Sequence, residues 1–285
     1  MNKRSTRALI AQETLRIIEK GFYQTPHGDR VEIGEEMQFA QSYSIHYTPE
    51  LFGEVFRERD ELLKEQPEGI RTRFEVRNET TLHAARRLLI EGAENVLCLN
   101  FASAKNPGGG FLNGSQAQEE SLARATGLYP CLAQMPEMYE VNRRFGSCLY
   151  TDHMIYSPDV PVFRDDNDEL LDTPYQASFI TAPAVNMGGM ANRHEVQSRE
   201  KIARTMLHRI EKILSIAVVH GHRTLVLGAW GCGVFGNQAD EVAGYFATQI
   251  RENPIFDRAF EKVVFAVLDH TDGESTIKPF REEFS

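Results

Sequence analysis

The chain has 285 residues, of which 41% are hydrophobic and 25% charged, and its formal net charge is −10. That acidic balance argues against affinity built by covering nucleic-acid phosphates with Lys and Arg. No apolar run approaches the ~18 residues that span a membrane, so a soluble chain of one large domain, or a domain with an extension, is expected.

Ser5–Lys20 is an amphipathic pattern with Leu9, Ile10, Leu15, Ile17 and Ile18 as its apolar members, stopped by Gly21. This charged segment lacks the apolar stretch of a signal peptide, which predicts an unexported protein. Phe22–Ile33 reads as two extended pieces around Pro26–Asp29, and Thr48-Pro49-Glu50 as the start of a helix to about Leu63. A soft boundary is expected near Gln66–Arg71, separating residues 1–70, a helical extension, from residues 71–285, the core. The two together are expected to form one compact unit.

Beyond the boundary, strands and helices alternate. Arg73–Arg77, Val96–Ala102, Met154–Ser157, Phe179–Ala184, Thr224–Ala229 and Val263–Leu268 read as strands. Thr80–Glu91, Gln118–Leu132, Glu195–His220 and Gln238–Glu252 read as helices, the last with Asn237 as its N-cap. Short apolar strands alternating with helices indicate an α/β domain covered on both faces. Ligands of such sheets bind beyond the carboxyl ends of the strands.

Two glycine-rich motifs fall at such ends. Asn106-Pro107-Gly108-Gly109-Gly110 follows one strand, and Gln118-Glu119-Glu120 opens the next helix. Consecutive glycines let backbone approach a ligand closely, and a helix N-terminus favours carboxylates. A plain turn followed by a solvated acidic first turn is the alternative reading. The second motif is Gly228-Ala229-Trp230-Gly231-Cys232-Gly233-Val234-Phe235-Gly236-Asn237, a strand–loop–helix passage whose N–H groups can cradle phosphate oxygens. It is neither a dinucleotide fingerprint nor a P-loop. Phe235 either packs on a ribose or base, or plugs the underside of the loop. Thr181–Gly189 follows another strand and either lines the same crevice or is structural.

Other candidates carry less. The nine histidines form no clear dyad or triad, and no nucleophile elbow is present. Asp165-Asp166-Asn167-Asp168-Glu169 is a fragment of a calcium-loop pattern and is expected to be a solvated acidic loop. Cys98, Cys131, Cys148 and Cys232 lack zinc spacing and suit buried thiols in a reducing, cytoplasmic setting.

Taken together the motifs resemble the microbial-type poly(ADP-ribose) glycohydrolases, whose signature is GGG, six to eight residues, then QEE. Here it stands as Gly108–Gly110, the seven residues Phe111–Ala117, and Gln118–Glu120. Gly231–Asn237 is similar to the macrodomain diphosphate loop. The resemblance extends to the Arg7–Leu15 and Thr181–Asn186 segments, and so over most of the chain. It implies a macrodomain-like three-layer α/β/α fold with a mixed central sheet and an N-terminal helical extension. It also implies an exo-acting hydrolase that releases ADP-ribose. Glu120 would be the acid/base, with Glu119 and Asn106 on hydroxyls of the cleaved ribose. Gly108, Gly109, Gly110, Gln118, Gly231, Cys232, Gly233, Val234, Phe235 and Gly236 would contact the ligand. No metal or cofactor is implied. The expected partners are ADP-ribose and its polymers, including protein-attached chains, but not membranes or nucleic acid, and the chain is expected to be a monomer. A non-catalytic ADP-ribose-binding module and a hydrolase of mono-ADP-ribosyl conjugates are the alternatives.

Overall fold

A computed structural model of the chain describes residues 2–65 and 71–285. The boundary expected near Gln66–Arg71 falls mainly on residues 66–70, outside the described residues. Helix α1 (Lys3–Lys20) is followed by a hairpin, β1 (Phe22–Gln24) and β2 (Arg30–Glu32). Then come α2 (Gly34–Tyr43), β3 (Ile45–Tyr47), α3 (Phe52–Lys64), β4 (Arg73–Arg77), α4 (Thr81–Ile90) and β5 (Val96–Phe101). Helices α5 (Gln118–Ala125), α6 (Leu128–Ala133) and α7 (Pro136–Arg144) precede the long strands β6 (Met154–Arg164) and β7 (Leu170–Ala182). The chain closes with α8 (Met187–Arg193), α9 (Arg199–Val219), β8 (Thr224–Leu227), α10 (Ala239–Ala247), β9 (Lys262–Ala266) and α11 (Ile277–Phe284).

The main sheet has seven strands in the order β3-β6-β7-β5-β8-β9-β4. Strands β7, β5, β8, β9 and β4 run parallel, while β6 is antiparallel to both β3 and β7. The segment before residue 70 thus supplies an edge strand of the sheet, where Ile45 pairs with Tyr156. Alternation along the strands divides the core into two layers. Leu97, Leu99, Leu225, Leu227, Val263 and Phe265 face α3, α9, α10 and α11. Val96, Cys98, Val226, Val264 and Ala266 face α4, α5, α6 and α7 on the other side.

Several elements depart from expectation for physical reasons. The stretch Gln118–Leu132 breaks at Thr126, whose extended backbone bridges to Val162 before α6 begins. Glu195–His220 loses its first residues, because Ser198 caps α9 by accepting from Lys201 N–H. Asn237 does not cap α10. Its amide donates to Val185 O (2.8 Å) and Gly231 O (3.0 Å), closing the loop on itself. In α1 the buried stripe is Ala11, Thr14 and Ile17, while Leu9 is exposed. Small residues there let the helix approach closely, and the Thr14 hydroxyl donates to Arg124 O at 2.6 Å. Asp165–Glu169 is the turn joining β6 to β7, solvated at Asp166, Asn167 and Glu169 as expected, with Asp168 paired to buried Arg124 at 3.0 Å.

Buried Arg209 fixes the helical layer to the sheet. It donates to Asp152, to Pro183 O (2.9 Å) and to Leu149 O (3.1 Å) from inside α9. Its loss would leave the Pro183 and Leu149 carbonyls unpaired in the interior, while Asp152 would keep only Lys212. Arg209→Met is therefore expected to lower unfolding stability by about 3 kcal/mol. Urea denaturation measures this directly, and a loss below about 1 kcal/mol would show that the carbonyls find water instead.

Candidate active site

The parallel strands β7, β5, β8 and β9 end along one edge of the sheet, and a cavity of about 810 Å³ opens there. Its lining brings together the two glycine motifs that lie far apart in sequence: Asn106, Gly109, Gly110 and Gln118–Glu120 on one side, Gly231–Phe235 on the other. Gly108 and Gly236 stand just behind this lining as turn residues with φ of 68° and 69°.

Gln118 anchors the acidic turn. Its amide NH₂ donates to Leu99 O (2.8 Å) and Thr81 Oγ1 (3.0 Å), and its carbonyl oxygen accepts from Phe101 N–H (2.8 Å). Both ends of the amide are occupied within the protein. The first turn of α5 is thereby tied to the end of β5 and the start of α4.

Glu119 is 3% exposed. Its Oε2 accepts from Ser103 N–H at 2.6 Å, and Asn100 Nδ2 lies 3.4 Å from Oε1. Burial pushes its carboxyl up to about 8 and outweighs the donors, with the neighbouring Glu120 carboxylate adding to the rise. Glu120 is half-buried and points at the cavity, its Oε1 accepting from Gly110 N–H at 3.0 Å.

Gly109 allows this arrangement. Its φ is 60°, and a Cβ there would overlap the Glu120 carboxylate and stand 3.2 Å from Glu119 Oε2. Asn106 is exposed at the cavity mouth, its carbonyl accepting from Gly109 N–H at 3.0 Å.

The second loop is braced from β7. Trp230 is fully buried and donates from Nε1 to Ala182 O at 3.0 Å. A Cβ on Gly231 would run into the Asn237 amide and Ala184. Phe235 is half-buried with its ring centroid 6.0 Å from that of Tyr150, and its carbonyl accepts from Gly188 N–H. It both lines the cavity and packs against the protein. Of the Thr181–Gly189 stretch, only Ala184 reaches the cavity. Asn186 caps α8 through Gly189 N–H (2.6 Å) and donates to Tyr150 OH (3.0 Å), bracing the loop from behind.

Sequence reasoning passed over several cavity residues. Leu268 and His270 lie after β9, where the rule that ligands bind beyond strand ends points. Ser103 and Arg124 carried no local signal, and Asp166 was read only as part of an acidic loop, because only the tertiary fold brings them to the cavity. His220 is half-buried and stacked on Tyr156, His222 is buried, and the His222 ring accounts for both its nitrogens with Tyr156 OH and Asn95 O at 2.8 Å each. Among the described residues there is no group of three or more His, Cys, Asp or Glu side chains that could hold a metal ion. No helix among them is long and apolar enough to cross a membrane.

Residues 11–165 match the family described as "Microbial-type PARG, catalytic domain". The poly(ADP-ribose) glycohydrolase of Thermomonospora curvata is 45% identical, with a TM-score of 0.92 over 98% of this chain and 100% of that one. The same enzyme bound to the inhibitor ADP-HPD superposes at 0.89 with 44% identity and the same coverage. The Deinococcus radiodurans glycohydrolase in complex with ADP-ribose is 42% identical, with a TM-score of 0.78 over 87% of this chain and 96% of that one. No curated protein sequence matches. These likenesses place the chain among glycosidases of macrodomain-like fold. Identity at this level over nearly the whole length narrows the class to one family, and the chain belongs to the microbial-type poly(ADP-ribose) glycohydrolases.

The state of Glu119 can be tested through stability. Its folded pKa lies above the unfolded value, so the protonated carboxyl stabilises the fold fully below about 4.5. That contribution is lost progressively as pH rises toward about 8. Glu119→Gln removes the titration. Urea unfolding of both proteins between pH 5 and 8 is expected to favour the variant increasingly as pH rises, by a few kcal/mol at most. A gap that stays constant with pH would mean that Glu119 is already ionised.

Proposed function

We propose that this chain hydrolyses the ribose–ribose O-glycosidic bonds of poly(ADP-ribose) from chain ends, releasing ADP-ribose, with Glu120 as the acid/base. The observation that carries this reading is the convergence of the Gly110–Glu120 contact with the Gly231–Phe235 loop around one cavity. The loop supplies N–H groups for a diphosphate. Gly109 leaves room for a ribose to lie against the two carboxyl groups.

In this scheme the bond from C1″ to the leaving oxygen breaks through an oxocarbenium-like state. The Glu120 carboxyl delivers its proton to that oxygen, which departs as the 2′-hydroxyl of the shortened chain. The resulting carboxylate then takes a proton from water as the water oxygen bonds to C1″, and the acid is restored. Buried Glu119, protonated near neutral pH, can both donate to and accept from ribose hydroxyls, and exposed Asn106 is within the same mouth. The ligand's own diphosphate lies close enough to steady the cationic sugar. Gln118 holds α5 in place rather than touching substrate, since its amide is engaged with Thr81, Leu99 and Phe101. The chain acts as a monomer on protein-attached polymer in the cytoplasm. The four free thiols, Cys98, Cys131, Cys148 and Cys232, support a reducing setting.

Glu120→Gln keeps the shape of the side chain and cannot deliver the proton. It is expected to reduce release of ADP-ribose from the polymer by about 10²–10⁴-fold. Free ADP-ribose is expected still to raise the Tm of the variant. Binding without release from wild-type protein would identify a reader module. Release from a mono-ADP-ribosylated protein but not from polymer would shift the substrate class.

A further inference from the structure

Arg4 and Arg7 project from one face of α1 onto the loop between the two halves of the signature. Arg4 Nε donates to Asn113 O and Arg7 Nε to Gly114 O, each at 2.9 Å. The contact is close, since a Cβ on Gly114 would collide with Arg4 O. From there to the acid the path is short. Ser115 N–H donates to Gly110 O (3.2 Å), and Gly110 N–H donates to Glu120 Oε1 (3.0 Å).

Each guanidinium uses only its Nε–H on the loop, which leaves its terminal nitrogens available. Neither has a carboxylate partner among the described residues, although the protein carries a net charge of −10. The first acid along α1, Glu13, is taken by Arg164 at 2.7 Å. The third guanidinium at this loop, Arg124, is buried and neutralised by Asp168. Two fixed, unneutralised forks at neighbouring loop carbonyls suit bidentate recognition of phosphate.

We propose that Arg4 and Arg7 form a phosphate subsite for the part of the polymer that leaves. The inference rests on the polymer reading above. The leaving 2′-hydroxyl belongs to a sugar that carries its own 5′ diphosphate, so the next negative charges lie one ring away from the scissile bond. Arg4 and Arg7 stand outside the cavity lining, beyond Gly110 and Ser115, and do not compete with the Gly231–Phe235 loop for the diphosphate of the bound unit. The N-terminal helix thereby makes the enzyme favour polymer over conjugates whose leaving group has no phosphate.

The test compares wild type, R4Q/R7Q and R4K/R7K on two substrates. One is poly(ADP-ribose), and the other is ADP-ribose joined through its 1″ oxygen to an uncharged alcohol. For R4Q/R7Q the KM for polymer is expected to rise about tenfold at low salt, with kcat and the small-substrate kinetics within about twofold of wild type. The lysine pair is expected to recover part of that loss. Wild-type KM for polymer should climb with salt more steeply than that of R4Q/R7Q. Equal losses on both substrates would show that the arginines only fasten the loop over Glu120, and an unchanged polymer KM would overturn the subsite alone. A wild type that is inert on polymer but active on the small conjugate would overturn the polymer reading and the subsite with it.

Discussion

The contact between Gly109–Gly110 and the first turn of α5 is the constraint around which the site is arranged. Two carboxyl groups can lie against main chain only where no side chain intervenes, and a Cβ on Gly109 would occupy the space of the Glu120 carboxylate. The same contact buries Glu119, and burial raises its pKa. The raised pKa of Glu119 thus goes with the absence of a side chain at Gly109. Gln118 makes the arrangement rigid by tying the turn to β5 and α4.

The sheet converts local chemistry into a site. Strands β5 and β8 are parallel neighbours, so the loops that follow them emerge side by side although about a hundred residues separate them. One loop brings carboxyls and the other brings N–H groups. Trp230 and Asn237 hold the second loop by bonds to the backbone at the end of β7 and just beyond it, and three adjacent strand ends therefore act together. The loop is stiffened by buried hydrogen bonds rather than by charge.

Much of this was legible in the sequence. Strand β4 falls on Arg73–Arg77 as the pattern predicts, and α1 ends at Gly21 in the left-handed conformation that a glycine stop requires. The two glycine motifs were readable because glycine runs at strand ends have few other uses. Strand β3 was not, since three residues without clear alternation acquire strand geometry only by pairing with β6. The full lengths of β6 and β7 were also hidden. Their middle residues include Pro161, Asp172 and Pro174, and the register shifts near Ser157 and Val162 absorb the irregularity. The part of the site beyond β9 went unread because Leu268 and His270 belong to no motif.

The fit of α1 over the signature loop also bears on how the molecule can be divided. Gly114 has no space for a side chain beneath Arg4 O, and Ala11 packs with Phe111 and Ala123 in a small cluster of its own. The helix near the start of the chain is thus the inner wall of a loop more than a hundred residues later. A fragment trimmed to the sheet and its flanking helices would expose Phe111 to water and release the seven-residue spacer of the signature from its backing. Helix and spacer therefore form one structural unit, and an insertion in either would part Gly114 from Arg4 and Ala11 from Phe111.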